Sequence, residues 1–360
     1  MSRLTRKVEE ALLGAALFNP AALPSMRRWL PSAVFSRADH QALWQVLHAI
    51  DFTTVPSSQI PATVSAAIAE QIAEPGLRAC LSPARLAQLA NACPTPGSAP
   101  LYGGMVLEAA VHRSVERAGE ELRQTAREAE VDQAAQALAR VEGTGQRLAA
   151  LGAAWQAAPE TVRNLLDTAP EQPVTLAPRT ERSRVDLRAE AETVASLLYQ
   201  PAQLDEVRWL QRGDFADPQL AAVYQAMATL HERHAPIDPL TVAWQAQRQS
   251  GAQPSEQVLD ELDRGGTPGT AVHTGEQVLA TAALDRLDGA GHQLRNLARH
   301  PALAPASLVG HSDHALQPVA ADRERIRQAE RELAPADQEP APAEPATQPA
   351  TAAPEMEMDL

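Results

Sequence analysis

The stretch Leu17-Phe18-Asn19-Pro20-Ala21-Ala22-Leu23 returns 181 residues later as Leu198-Tyr199-Gln200-Pro201-Ala202-Gln203-Leu204. Outward from it, at an offset of 180, Trp29-Leu30, Phe35, Leu43, Trp44, Leu47 and Ile50 face Trp209-Leu210, Phe215, Val223, Tyr224, Met227 and Leu230. At an offset of 172, Thr95-Pro96-Gly97-Ser98-Ala99 faces Thr267-Pro268-Gly269-Thr270-Ala271. Gly103, Val106-Leu107, Gly119, Leu122-Arg123 and Ala126 then face Gly275, Val278-Leu279, Gly291, Leu294-Arg295 and Ala298. Eight of the twelve aromatic residues fall into these pairs, so the agreement marks a duplicated domain rather than shared composition.

Each copy reads as helical. Val8, Ala11, Leu12, Ala15 and Ala16, then Leu43, Val46, Leu47 and Ile50, recur at the spacing of one helix face. Pro20 and Pro201 stand where a new helix begins, with Asn19 placed to cap the first. From Leu101 to Ala129 the chain runs without proline and predicts one long helix; a second run, Val131 to Ala158, completes a helical hairpin. The expected fold class is all-α, with two tandem helical-bundle domains. Each is a small globular head followed by a long helix or hairpin. The paired aromatics Phe18, Trp29, Phe35, Trp44, Tyr199, Trp209, Phe215 and Tyr224 are the expected core anchors.

Proline and charge mark the boundaries. Copy one spans 1–158 and copy two 189–334, joined by a polar, proline-interrupted linker at 159–188. Residues 335–360 hold six prolines, six acids and no base, a composition that cannot offset its ordering entropy and predicts a disordered tail. Its last six residues, Glu355-Met356-Glu357-Met358-Asp359-Leu360, alternate acids with apolar side chains and suit docking into a basic-rimmed pocket.

Composition excludes several chemistries. Of 31 basic residues 30 are arginine, and the single lysine, Lys7, has no glycines before it, so no P-loop is encoded and a lysine Schiff base is not expected. Two cysteines, Cys80 and Cys93, make neither a disulfide framework nor a zinc quartet. The first residues lack a signal-peptide core and no run of 18 apolar residues occurs, so a cytoplasmic protein with no membrane partner is expected. The net charge of −14 falls on 189–300 and the tail, while 1–155 is neutral, leaving no folded segment the surplus of base that duplex DNA binding draws on.

Neither a catalytic residue nor a metal or cofactor site emerges. His231 and His234, and His311 and His314, are spaced one helical turn apart but sit in polar surroundings that favour surface histidines. His40 is read as a capping or packing residue. Arg179, Arg182, Arg184 and Arg188 in the linker are candidate phosphate contacts, as are Arg323, Arg325, Arg327 and Arg331, although neighbouring acids favour ion pairs for both groups.

The run Glu9-Glu10-Ala11-Leu12-Leu13-Gly14-Ala15-Ala16-Leu17-Phe18-Asn19-Pro20-Ala21-Ala22-Leu23, then Val34-Phe35 and His40-Gln41-Ala42-Leu43-Trp44, resembles the N-terminal domain of bacterial DnaB-type replicative helicases. Copy two adds Ala235-Pro236-Ile237-Asp238-Pro239-Leu240-Thr241-Val242, similar to the family's Pro-Ile-Asp stretch before a helix, from which copy one departs at Val55-Pro56-Ser57-Ser58. The Leu89-Ala90-Asn91-Ala92-Cys93-Pro94 segment resembles the family's turn before the hairpin. The resemblance implies globular heads with dimerising hairpins that form a collar over a ring of ATPase domains and contact primase. With no ATPase domain in this sequence, it implies a non-enzymatic module that docks to replicative helicase or primase, or self-associates through its hairpins. The alternatives are a DNA-binding or helicase-modulating factor using the linker arginines, and a helicase-derived remnant with another role.

Overall fold

The computed structural model of the protein describes residues 3–166, 182–250 and 271–333. Arg179, the expected tail at 335–360 and Thr267–Thr270 of the third repeat block lie outside those residues. No strand occurs among the described residues, and the fold is all-α.

Head one contains α1 (Arg3–Phe18), α2 (Leu23–Met26), α3 (Ala38–Ala49), α4 (Ile60–Gln71), α5 (Pro75–Cys80) and α6 (Pro83–Asn91). It leads into a hairpin of α7 (Ala99–Glu128) and α8 (Ala134–Ala157), with α9 (Glu160–Leu166) behind it. Head two contains α10 (Leu187–Tyr199), α11 (Pro218–Glu232) and α12 (Pro239–Ser250) and precedes the hairpin of α13 (Ala271–Ala298) and α14 (Pro305–Leu333).

Local chemistry sets several helix starts. The Asp186 carboxylate accepts from the Ala189 amide at 3.0 Å to open α10, and that of Asp217 accepts from Gln219 and Leu220 at 2.6 and 3.2 Å to open α11. Pro20 and Pro201 open equivalent 3₁₀ turns, but the Asn19 side chain makes no capping bond. The first part of the expected linker is also different. It forms α9, whose Val162 packs over Gly104 of α7, because Val162 and Leu166 present an apolar face to a helix that has no side chain there.

The two hairpins pair within the chain. α7 runs antiparallel to α13 and α8 antiparallel to α14, giving a four-helix bundle with one head at each end. Its core joins Val111, Val115, Leu122, Leu138 and Leu148 of copy one to Leu284, Leu287, Leu294, Leu308 and Leu316 of copy two, whereas head one has a core of its own. The crossing of α7 and α13 has two-fold character. A Cβ on Gly119 would lie 2.7 Å from the Gly291 carbonyl oxygen and 2.9 Å from the Arg295 nitrogen; one on Gly291 would lie 2.7 Å from the Gly119 oxygen and 3.1 Å from the Arg123 nitrogen. Residues 172 apart thus exchange roles, as in an isologous dimer interface.

Six of the eight paired aromatics are buried: Trp29, Phe35, Trp44, Trp209, Phe215 and Tyr224. Phe18 and Tyr199 are not core anchors, since each is 61% exposed. Each is the last residue of its helix, on the side opposite the buried stripe that in α1 contains Glu9, Leu12, Leu13 and Ala16.

The glycine crossing yields a test. Gly119→Ala forces backbone apart at the centre of the bundle and is expected to cost about 1–3 kcal/mol. Gly143→Ala, where the new methyl meets nothing within 4 Å, is expected to be neutral or to stabilise by up to about 1 kcal/mol. Urea unfolding of both variants measures the contrast.

Candidate protein-interaction surface

Both heads are organised around a buried glutamate on their first helix. The Glu9 carboxylate accepts from the Ser36 amide at 2.8 Å and lies 2.8 Å from Nδ1 of the buried His40. Glu190, its equivalent at an offset of 181, accepts from the Ala216 and Asp217 amides at 2.8 and 3.0 Å. Each carboxylate thereby ties the first helix to the chain entering α3 or α11. Their acidities diverge. Burial works against both charges, but the bonds from His40 and Ser36 prevail at Glu9 and hold its pKa below the usual value. At Glu190 burial prevails over its two amide bonds and the pKa is raised. Copy two carries Leu220 where copy one has His40. His40 is therefore a packing and pairing residue, with Nε2 lacking a hydrogen-bond partner among the described residues.

A second shared device uses different residues. The Trp44 indole donates to the Leu30 carbonyl at 3.0 Å, and the Tyr224 hydroxyl donates to the equivalent Leu210 carbonyl at 2.8 Å. Beside them Trp29 lies over Gly103 and Trp209 over Gly275, each ring occupying the space of a missing side chain on a long helix.

Head two is further locked to the bundle by charge. Asp214, fully buried, bonds Arg286 at 2.8 Å and Arg325 at 2.7 Å, and Asp322 bonds the same two arginines. Burial opposes the charge on Arg286 and Arg325, yet the carboxylates more than offset it and raise both pKa values. Arg182 donates to the carbonyls of Gly213, Asp214 and Phe215 at 2.8–2.9 Å. In copy one Arg113, from α7, reaches the corresponding carbonyl of Val34.

Among the described residues, the candidate phosphate contacts each have a carbonyl or carboxylate partner. Arg182 is spent on those three carbonyls; Arg184 donates to the Arg127 carbonyl at 3.1 Å, at the end of α7; Arg188 pairs with Glu192 at 2.7 Å on the surface. Arg323 pairs with Glu142, and Arg327 and Arg331 with Glu324. At the other end of the joint the His112 ring lies 3.1 Å from the carbonyl oxygens of Ala298 and Leu303, so the end of α13 is met by a side chain from copy one and the end of α7 by a linker arginine. His231 lies 3.2 Å from Asp205, and no cluster of three metal-ligating side chains occurs among the described residues.

Both heads expose large apolar side chains. On head one, two adjoining cavities of about 510 and 500 Å³ flank the exposed Phe18, lined by Leu23, Leu47, Phe52 and Ile60 on one side and Leu17, Pro61 and Leu86 on the other. His48 sits in the first wall, edge-on to Trp44 at 4.6 Å. Neither ring nitrogen has a partner among the described residues, and burial, assisted by Arg27, pushes its pKa down to about 4. Head two exposes Tyr199 at the equivalent position, together with Leu240 and Trp244 one turn apart on α12.

Residues 4–108 and 183–274 both match the model of the DnaB-like helicase N-terminal domain family. The chain belongs to this family. The two DnaB-like matches cover the heads and end within the first turns of α7 and α13, so most of the paired hairpins lies beyond the matched spans. The match is to the N-terminal domain and does not extend to an ATPase domain. No curated protein matches the chain. No helix among the described residues is long and apolar enough to cross a membrane.

Sequence reasoning misses the Glu9/Glu190 pair, although a carboxylate repeated at the same offset inside two alanine- and leucine-rich helices is a visible signal. It also misses the lock around Asp214, which stands where copy one has Val34 and so leaves no trace in the repeat.

Two expectations follow for stability. Asp214→Ala leaves Arg286 and Arg325 to share Asp322 and removes charge-assisted bonds from a buried site, and is expected to cost about 1.5–3 kcal/mol in thermal or urea unfolding. His48 stays neutral in the folded chain down to about pH 4, while the unfolded chain takes up the proton near pH 6.5. Its contribution is thus intact above pH 6.5 and is lost as the pH falls toward 4. His48→Phe is expected to flatten the denaturation midpoint across that window relative to the parent.

Proposed function

We propose that this chain is a non-enzymatic interaction module of DNA replication in the cytoplasm, which docks to the replicative helicase or to primase through its heads. The observation that carries the reading is the pairing of two DnaB-like copies within one chain. The hairpins bury their apolar faces against each other, so the module arrives with its own collar-type pair already made. The exposed aromatic positions Phe18 and Tyr199 then face outward at opposite ends of the bundle. The domain boundaries proposed are copy one at 1–158 and copy two at 189–334, with α9 belonging structurally to copy one. No cofactor or metal enters this reading.

Affinity purification of the full-length tagged protein, with mass-spectrometric identification at low and moderate salt, tests it. Enrichment of helicase or primase, reduced at least tenfold by Phe18→Asp together with Tyr199→Asp, is the expected result. Recovery of the protein alone would overturn the docking role and favour a helicase-derived remnant with another task. Direct DNA binding through the linker arginines is disfavoured by the carbonyl and carboxylate partners of Arg182, Arg184 and Arg188. Duplex titrations are accordingly expected to give no steeply salt-dependent affinity, and Arg182→Ala is expected to loosen head two rather than weaken DNA binding.

A further inference from the structure

The first turns of α4 and α12 are equivalent at an offset of 178, where Pro61-Ala62-Thr63-Val64 faces Pro239-Leu240-Thr241-Val242. On both helices the inward stripe is buried, Val64 and Ile68 in head one, Val242 and Ala246 in head two. The outward stripe differs. Copy one has Ala62 and Ala66 there, both exposed, whereas copy two has Leu240 and Trp244, 82% and 66% exposed. Since one head folds with two methyl groups on this face, the leucine and the indole of the other add apolar surface that the scaffold does not need for its own core.

The ends of the same face carry opposite charges. Asp238 opens α12 by accepting from the Leu240 and Thr241 amides at 2.9 and 3.0 Å, both through Oδ1, so Oδ2 is left without a donor among the described residues. At the other end Arg248 is exposed and has no ion pair among the described residues. Leu240, Trp244 and Arg248 succeed one another at intervals of four along one stripe about 12 Å long. A stripe with a carboxylate at one end, an apolar centre and a guanidinium at the other is complementary to itself when turned end for end, which is the requirement of a two-fold interface.

We propose that two copies of the chain pair through α12, antiparallel about a two-fold axis at Trp244. Each indole packs against the indole of the other copy, and the aliphatic stem of each Arg248 covers the Leu240 opposite. Each guanidinium then reaches the carboxylate of the facing Asp238, so the pair is closed at both ends by charge-assisted bonds. The hairpins are already paired within each chain, and the contact joins two complete modules through head two alone. It does not depend on the docking proposed above, which uses Phe18 and Tyr199.

Sedimentation equilibrium of the full-length protein across the micromolar range tests the pairing. The parent is expected to dimerise with rising concentration. Leu240→Ala together with Trp244→Ala, which gives α12 the face that α4 already carries, is expected to sediment as a monomer with unchanged melting temperature. Arg248→Glu places like charges at both ends and is expected to weaken association by about tenfold or more. Asp238→Asn, which keeps the capping oxygen and removes the charge, is expected to weaken it in the same direction. A parent that stays monomeric throughout would overturn the pairing and leave the face to a different protein. A dimer that survives the double alanine variant would overturn the assignment to α12, and one lost in that variant but indifferent to Arg248→Glu would overturn the antiparallel arrangement.

Discussion

The approach of α7 and α13 at Gly119 and Gly291 governs the rest of the molecule. At that point each backbone occupies the space in which the other residue's Cβ would stand, and only glycine on both helices permits it. Close approach there brings Leu122 and Val115 onto Leu287 and Leu294, and their burial makes one core from two domains. At about 25 cal/mol per Å² of apolar surface removed from water, an interface of this kind outweighs any single polar contact in the bundle. Of the flanking ion pairs, the exposed one, Arg295 with Glu120 at 3.2 Å, adds orientation more than energy, whereas Arg123 with Asp288 at 3.5 Å is buried, so loss of either partner would leave a charge inside the bundle.

The same constraint decides how the apolar surface is shared out. The paired hairpins bury most of their apolar faces against each other, and the exposed aromatic positions Phe18 and Tyr199 are on the heads. There the chemistry of the two copies differs. Head one has a buried imidazole on its glutamate and an apolar groove beside Phe18. Head two has a leucine in place of the imidazole and a four-member ionic lock to the bundle. The two heads share a scaffold of Glu9/Glu190, Trp29/Trp209 and the carbonyls of Leu30/Leu210, yet present different surfaces on it.

Much of this is legible in the order of the residues. The repeat locates both domains, the aromatic pairs mark most of the core, and the proline-free run after Thr95-Pro96-Gly97 locates α7 closely. Phe18 and Tyr199 mislead because pairing in a repeat reports equivalence, not burial; the helix phase from Glu9 and Leu13 places both outside. The sequence leaves the linker arginines between phosphate contacts and ion pairs, because spacing along a chain says nothing of the carbonyls at 213–215 that meet Arg182. The pairing of the hairpins within the chain depends on residues 172 apart meeting in space, which periodicity alone does not encode.

The covalent link between the copies has an evolutionary and a concentration-related consequence. In a symmetric dimer of identical chains, every substitution is made twice and must suit both sides of the axis. Here a change enters once, so Asp214 could replace a Val34-like residue and gain Arg286 and Arg325 as neighbours while head one kept an apolar position there. Joining the partners on one chain also makes their pairing intramolecular, with an effective concentration that for short connections reaches the millimolar range. The assembled state then persists at any cellular abundance, and the two ends are free to acquire separate partners.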